Sequence, residues 1–241
     1  MKNYAPLNIL KPVGENIWIV DGDSIKFMKI PFPTRMTIIR LRSGELFLHS
    51  PTAMIPELKQ QVSDLGIVRH LVSPNWIHYA YIQEWADAFP DAISWASPNV
   101  EKRAAKTQTS VIFDQKLGEI PEPVWSGEIE QMIVGGSNVH QEVVFFHHAS
   151  KTLILTDLIE NFERDKVGPI LGTVLQLVGV LDPDGKMPRD MRMTFRDGRD
   201  ELRAAVQKMI DWGPDKIIVA HGRWYTENGV AELKRAFSWL F

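Results

Sequence analysis

The sequence predicts a layered α/β protein. Three observations carry this. Each half of the chain holds a hairpin of apolar strands, helical stretches with one apolar face alternate with strand segments, and the hairpin arms of the second half are apolar enough to be covered on both faces. In the first half, Ile17-Trp18-Ile19-Val20 reads as a strand ending at the turn signal Asp21-Gly22. Met36 to Leu41 and Leu46 to His49 flank Ser43-Gly44 and read as a hairpin. Pro56 opens a helix in which Leu58, Val62 and Leu65 recur at spacings of three and four, with Gly66 as its stop. His70-Leu71-Val72 is a short strand halted by Pro74, Ile82 to Phe89 a helix, and Ile93 to Ala96 a strand.

The second half repeats the alternation. Met132-Ile133-Val134 ends at Gly135-Gly136, and Val143 to His147 and Thr152 to Thr156 flank Ala149-Ser150-Lys151 as a second hairpin. Asp200 to Trp212 is a helix with Leu202, Val206, Met209 and Ile210 inward. Lys216 to Ala220 is a buried strand, and Glu232 to Phe241 a closing helix with Leu233, Phe237 and Leu240 inward. A doubly wound nucleotide-binding fold is the competitor, but it calls for a strand, glycine loop and helix, and neither GxGxxG nor GxxxxGK[ST] occurs.

No repeat or linker divides the 241 residues, so one domain over 1–241 is expected. Lys plus Arg number 27 against 30 Asp plus Glu, a net charge of -3, which leaves no basic footprint for nucleic acid or an anionic membrane. The absence of cysteine excludes disulfides, thiolate metal sites and a cysteine nucleophile. The opening residues do not read as a signal peptide, and the greasiest stretch, Val167 to Leu181, is interrupted by Pro169, Gly172 and Gly179. The expectation is a cytoplasmic protein with a small-molecule partner and no nucleic acid or membrane partner.

Four apolar strands run out into His or Asp: Phe47-Leu48 to His49, Leu71-Val72 through Ser73-Pro74-Asn75 towards His78, Leu153-Ile154-Leu155 to Thr156-Asp157, and Ile217 to Ala220 to His221. Each alone is most simply a satisfied polar group or a turn former. Together they point to a shared site, because strand-end loops converge polar groups on a rigid base and imidazole and carboxylate suit a borderline divalent metal.

The phrases IPFPTRMTIIRL, LFLHSP, HLVSPNWIHY, EVVFFHHASKTLILTDLIENF, MRMTFRD and IIVAHG resemble a bacterial domain-of-unknown-function branch of the metallo-β-lactamase superfamily, over nearly the whole chain. The resemblance implies a four-layer αββα sandwich, two mixed sheets with outer helices, and metal ligands on loops at one edge. The superfamily writes HxHxDH after its fourth strand. Here Pro74 and Trp76 stand at its first two histidines, His78 at its aspartate and Tyr79 at its last histidine. No histidine stands near Gly136-Ser137, where the next ligand belongs, and His140, three residues on, is not assigned to the role. The bridging aspartate falls on Asp157 and the last histidine on His221, while His49 replaces an aspartate that often ends the second hairpin strand.

The resemblance therefore implies a degenerate, at most mononuclear site. Its ligands would be His78, Asp157 and His221, with His49 as a fourth ligand or a partner that orients one, and its ion one zinc or iron; a site without metal is the alternative. The activity implied is metal-dependent hydrolysis, with Asp157 and His78 as its catalytic residues. A non-catalytic ligand- or protein-binding relative is the second reading and redox chemistry at iron the third. Tyr79, Arg35 and His147 are the candidate substrate contacts, Arg35 on a stiff loop Phe32-Pro33-Thr34 where it grips an anion or pairs with an acid. Tyr81 shares the mouth with Tyr79. His148 is expected to be solvated and His70 structural, and Arg192, Arg196, Asp190 and Asp197 are expected to form an ion-pair network.

Overall fold

A computed structural model describes residues 1–27 and 30–241. Two mixed sheets lie face to face. The first contains, in spatial order, β1 (Lys11–Gly14), β2 (Ile17–Phe27), β3 (Ile30–Arg40), β4 (Glu45–His49), β5 (Ile67–Ser73), β6 (Ile93–Ala96) and β7 (Gln115–Lys116). Pairing is antiparallel from β1 to β4 and parallel from β4 to β7. The second runs β11 (Lys216–Ile218), β10 (Thr152–Ile154), β9 (Glu142–His147), β8 (Ile129–Val134), with only β10 and β11 parallel.

The period of two along each strand sorts side chains into layers. Ile17, Ile19, Ile39, Phe47 and Val72 of the first sheet meet Ile129, Val143, Phe145, Ile154 and Ile218 of the second in a shared inner core. The alternate residues Val20, Ile38, Leu46, Leu48 and Leu71 turn outward onto α1 (Pro56–Leu65), α2 (Ile82–Ala88) and α3 (Val100–Lys106). On the other side Val144, Phe146, Leu153, Leu155 and Ile217 pack against α6 (Arg199–Asp211) and α7 (Gly229–Ala236). The result is the expected αββα sandwich. It explains why both arms of the second hairpin are apolar throughout: every residue of β9 is buried. Further helices, α4 (Pro169–Val178) and α5 (Arg189–Thr194), follow the second hairpin. Among the described residues no helix is long and apolar enough to cross a membrane.

Several expectations are corrected. The strand beginning at Ile17 does not turn at Asp21-Gly22 but continues to Phe27. Gly22 is needed for close approach, since a Cβ there would lie 2.6 Å from Thr34 Oγ1 and 2.8 Å from Thr52 Cβ. Nor is Phe32-Pro33-Thr34-Arg35 a loop; it is the first half of β3. The strand tolerates its proline because the register jumps there: Phe32 pairs with Ile25 and Thr34 with Gly22, so Pro33 falls at a bulge where no ladder bond is required of it. The closing helix ends at Ala236 and tightens into a 3₁₀ turn over Ser238–Leu240, which still buries Phe237 and Leu240. Among the described residues, Arg192, Arg196, Asp190 and Asp197 form no ion-pair network; the Arg192 guanidinium instead lies over the Trp239 ring at 4.9 Å.

The two sheets depend on the inner aromatic contact, where Phe145 meets Phe47 at 5.2 Å and His49 at 5.5 Å between ring centroids. Phe145→Ala is expected to cost about 3–5 kcal/mol, read as a lower midpoint in urea with an unchanged slope.

Candidate functional site

The parallel strands of both sheets bring their C-terminal ends to one edge of the sandwich, where loops can converge. Ser50 follows β4, Asn75 and His78 follow β5, Asp157 follows β10, His221 follows β11, and Glu142 begins the antiparallel strand β9.

Asp157 is the centre. His78 Nε2 and His221 Nε2 each lie 3.3 Å from its Oδ1. Asn75 Nδ2 donates to its other oxygen, Oδ2, at 2.7 Å. The same Asn75 accepts at Oδ1 from the backbone N–H of Ile77 at 2.9 Å and of His78 at 3.1 Å, so one side chain holds both the carboxylate and the start of the His78 turn. The far nitrogens of both imidazoles are engaged as well. His78 Nδ1 is 2.7 Å from Ser50 Oγ, and His221 Nδ1 is 3.0 Å from the carbonyl of Pro33, the β3 residue opposite the β2 bulge. The His221 loop is pinned by Asn161, whose N–H donates to His221 O at 3.1 Å. Gly222 follows at φ +99°, and a Cβ there would strike the Asn161 backbone.

Glu142 is fully buried and accepts from the backbone N–H of Thr156 at 2.7 Å and of Asp157 at 2.8 Å, which fixes the turn presenting Asp157. His140 Nε2 stands 3.4 Å from the same Glu142 carboxylate. Two groups of donor atoms therefore share Asp157: His78–Asp157–His221 and His140–Glu142–Asp157. The second was not legible in the sequence. Its signal was a glutamate opening the apolar run EVVFF, an acid that burial obliges to find partners.

The electrostatics follow from this packing. Burial alone would raise the Asp157 carboxyl, but the charge and hydrogen bonds of His78 and His221 hold it well below the usual carboxylate range. Burial likewise opposes the protonated forms of His221 and His140, yet hydrogen bonding to Asp157 and Glu142 respectively raises both. Glu160 sits at the cavity wall. Burial pushes it up to about 8, with His221 opposing the rise and the Asp157 carboxylate adding to it.

His78, Asp157 and Glu160 open onto a cavity of about 640 Å³. Its walls are largely apolar, with Phe32, Trp76, Ile77, Val139, Leu175 and Met191 among them. Tyr81 lines it, but Tyr79 does not. The Tyr79 hydroxyl is spent on Thr107 Oγ1 at 2.7 Å and the ring is buried under α2 and α3. His147 is also misplaced by the sequence reading. It ends β9 at the opposite edge, about 17 Å along the strand from Glu142 at ~3.4 Å per residue, with Nδ1 2.8 Å from Ser150 Oγ. Arg35 reaches the cavity but is already committed: its guanidinium bonds Asp21 at 2.7 Å and donates to the carbonyls of Val219 at 2.7 Å and Gly222 at 2.8 Å. It ties β3 to the His221 loop, which is the acid-pairing alternative and not an anion grip. His49 does not join the ligand atoms. Strand alternation points it into the inner core against Phe145, where its Nε2 is buried without a hydrogen-bond partner. Burial and the neighbouring His78 push it down to about 3. Of the remaining expectations, His148 is half-exposed beside Glu130 and His70 is buried against Trp95 and Trp125.

The family model described as Domain of unknown function (DUF4336) matches residues 14–177. The chain belongs to this family. No curated protein matches the sequence. Among solved structures, the DIM-1 metallo-β-lactamase exposed to ceftazidime aligns over 100% of this chain and 97% of its own, with a TM-score of 0.68 at 16% identity. A metallo-β-lactamase from Pontibacter korlensis aligns over 96% and 98%, with a TM-score of 0.65 at 14% identity. The FIM-1 metallo-β-lactamase from Pseudomonas aeruginosa, in its mono-zinc form, aligns over 100% and 97%, with a TM-score of 0.62 at 12% identity. At these identities the likeness establishes the metallo-β-lactamase fold for this family member.

The buried imidazoles outside the site set a pH dependence. Burial, with His148 beside it, pushes His147 down to about 4, against an ordinary value near 6.5. Between those values the unfolded chain binds the proton and the folded one does not, so this residue's contribution is lost as pH falls from 6.5 towards 4. Its share is at most about 1.4 kcal/mol per pH unit. His147→Asn is expected to flatten the stability-against-pH curve in that window relative to the parent, as measured by denaturant unfolding at fixed pH steps.

Proposed function

We propose that the protein is a hydrolase of a small-molecule ester, amide or phosphoester, holding one zinc or iron ion at His78, Asp157 and His221. The observation that carries this reading is the approach of two imidazole nitrogens to one buried carboxylate oxygen, 3.3 Å each, while the far nitrogen of each ring is occupied by Ser50 or Pro33. The donor set fits: two imidazoles and a carboxylate suit zinc or iron, and the outer contacts fix ring orientation and tautomer. When bound, such an ion polarises the scissile oxygen and activates water. Asn75 restrains the oxygen of Asp157 that faces away from the imidazoles, and Glu142 restrains its backbone. The apolar walls exclude bulk water, and Glu160 is the carboxyl at the cavity wall closest in charge coupling to Asp157 and His221. The mono-zinc form of FIM-1 supplies a precedent for a single ion in this fold.

The test is metal content and melting temperature of protein purified without a nickel column. A metal at ~100 times its dissociation constant adds ~2.7 kcal/mol, so chelator should lower the parent's melting temperature, while Asp157→Ala should neither retain metal nor respond to chelator. Native protein without metal, with a melting temperature indifferent to chelator, would shift the reading to a binding module.

One observation favours a second chemistry at the same place. Ser50 Oγ, His78 and Asp157 stand in the order hydroxyl, imidazole, carboxylate, with Ser50 held at φ +52° on the turn leaving β4. Hydrolysis that survives chelator and disappears in Ser50→Ala would select this reading; hydrolysis abolished by chelator would exclude it.

A further inference from the structure

We infer that the cavity selects ligands that join an apolar body to an oxyanion, and that Arg103 is the residue that recognises the anion. This names the substrate class of the site proposed above and rests on that cavity being the substrate's seat. It does not depend on which chemistry follows.

Three observations converge. The first is the wall chemistry. A cavity of about 640 Å³ lined by Phe32, Trp76, Ile77, Leu175 and Met191 favours an apolar ligand body. The second is the state of the cations that reach it. Arg35 is consumed by Asp21 and two carbonyls. Lys26 and Arg103 also line the cavity, and among the described residues no carboxylate lies within ion-pair distance of either; Lys26 is exposed, whereas Arg103 is half-buried and rests on the Trp76 ring. An arginine facing an apolar cavity without an acidic partner is a charge awaiting one, since its planar fork of donors matches carboxylate, sulfonate or phosphate.

The third is preorganisation. The Arg103 guanidinium lies over the Trp76 indole, 5.1 Å from the ring centroid, which restricts its rotamers. The helix carrying it is anchored on both sides. Val100 and Ala104 are buried in the outer core, Asn99 Nδ2 donates to Gln141 Oε1 at 3.1 Å, and Thr107 Oγ1 bonds both Tyr79 and the Arg103 carbonyl. Tyr79 thus supports the cavity from behind through this helix. The acids on the cavity wall do not neutralise Arg103. Asp157 is engaged by His78, His221 and Asn75, and neither Glu160 nor Asp190 is within ion-pair distance of Arg103.

Two fluorescent probes with the same ring system test this: 8-anilinonaphthalene-1-sulfonate and the neutral N-phenyl-1-naphthylamine. Both are titrated into chelator-treated full-length parent, Arg103→Met and Lys106→Met. Methionine keeps an apolar stem on Trp76 while removing the charge, and Lys106 is an exposed cation on the same helix. The parent is expected to bind the sulfonate about tenfold more tightly than the neutral probe, the size of one charge-assisted contact. Arg103→Met should erase that preference without weakening the neutral probe, and Lys106→Met should preserve it. Equal affinities in the parent, a preference that survives Arg103→Met, or failure of the parent to bind either probe would overturn the inference. Because metal is absent throughout, the outcome is separate from that of the metal-retention test.

Discussion

A carboxylate placed at the bottom of a cavity between two sheets must be surrounded by donors, and much of this structure can be read as the means of surrounding Asp157. Removing a carboxylate from water costs several kcal/mol unless it is paired and hydrogen-bonded. Here the partners come from three separate elements: His78 and Asn75 from the loop after β5, His221 from the loop after β11, and Glu142, through the backbone, from β9. Two of these lie on the second sheet and one on the first. The site is therefore assembled only when the sheets are packed, and the inner aromatic contacts of Phe47 and Phe145 serve the site as well as the fold.

The surrounding groups are themselves held, several of their polar atoms serving two partners at once. Glu142 spends both oxygens on backbone N–H groups, so its own burial is compensated while it shapes the turn at Asp157. The bulge in β2 opposite Pro33 leaves the Pro33 carbonyl where His221 Nδ1 needs an acceptor, and Arg35 from β3 holds the other side of that loop by the carbonyls of Val219 and Gly222. Proline in an inner strand would ordinarily cost a ladder bond; at a bulge there is none to lose. A run of residues that reads as a stiff loop is thus a strand whose irregularity is part of the site.

The apolar walls of the cavity come from β3, the loop after β5, α4 and α5. Trp76, in the loop after β5, contributes a broad face to the wall on which Arg103 rests.

By itself the sequence determined the layered class, because the alternation of strands and helices is set by local periodicity and does not need the tertiary structure. It placed the hairpin β3–β4, the helix from Pro56 and the strand at Ile93 correctly for the same reason. It also located His78, Asp157 and His221 at strand ends, since an apolar run that stops at a polar residue marks the edge of a sheet. What only the tertiary structure decided is direction. Whether His49 faces the edge or the inner core depends on the register of β4, whether His147 lies near Asp157 or far from it depends on which end of β9 meets the cavity, and whether Tyr79 or Tyr81 lines that cavity depends on how one loop packs against α2 and α3. Asn75, Glu142 and Arg103 were unmarked in the sequence because their partners are distant in the chain or, for Arg103, because the lack of an acidic partner becomes visible only when the helix is set beside the cavity. Spacing along a chain fixes which residues can share a face; contact across 82 residues, as between Asn75 and Asp157, is settled by the packing of the two sheets alone.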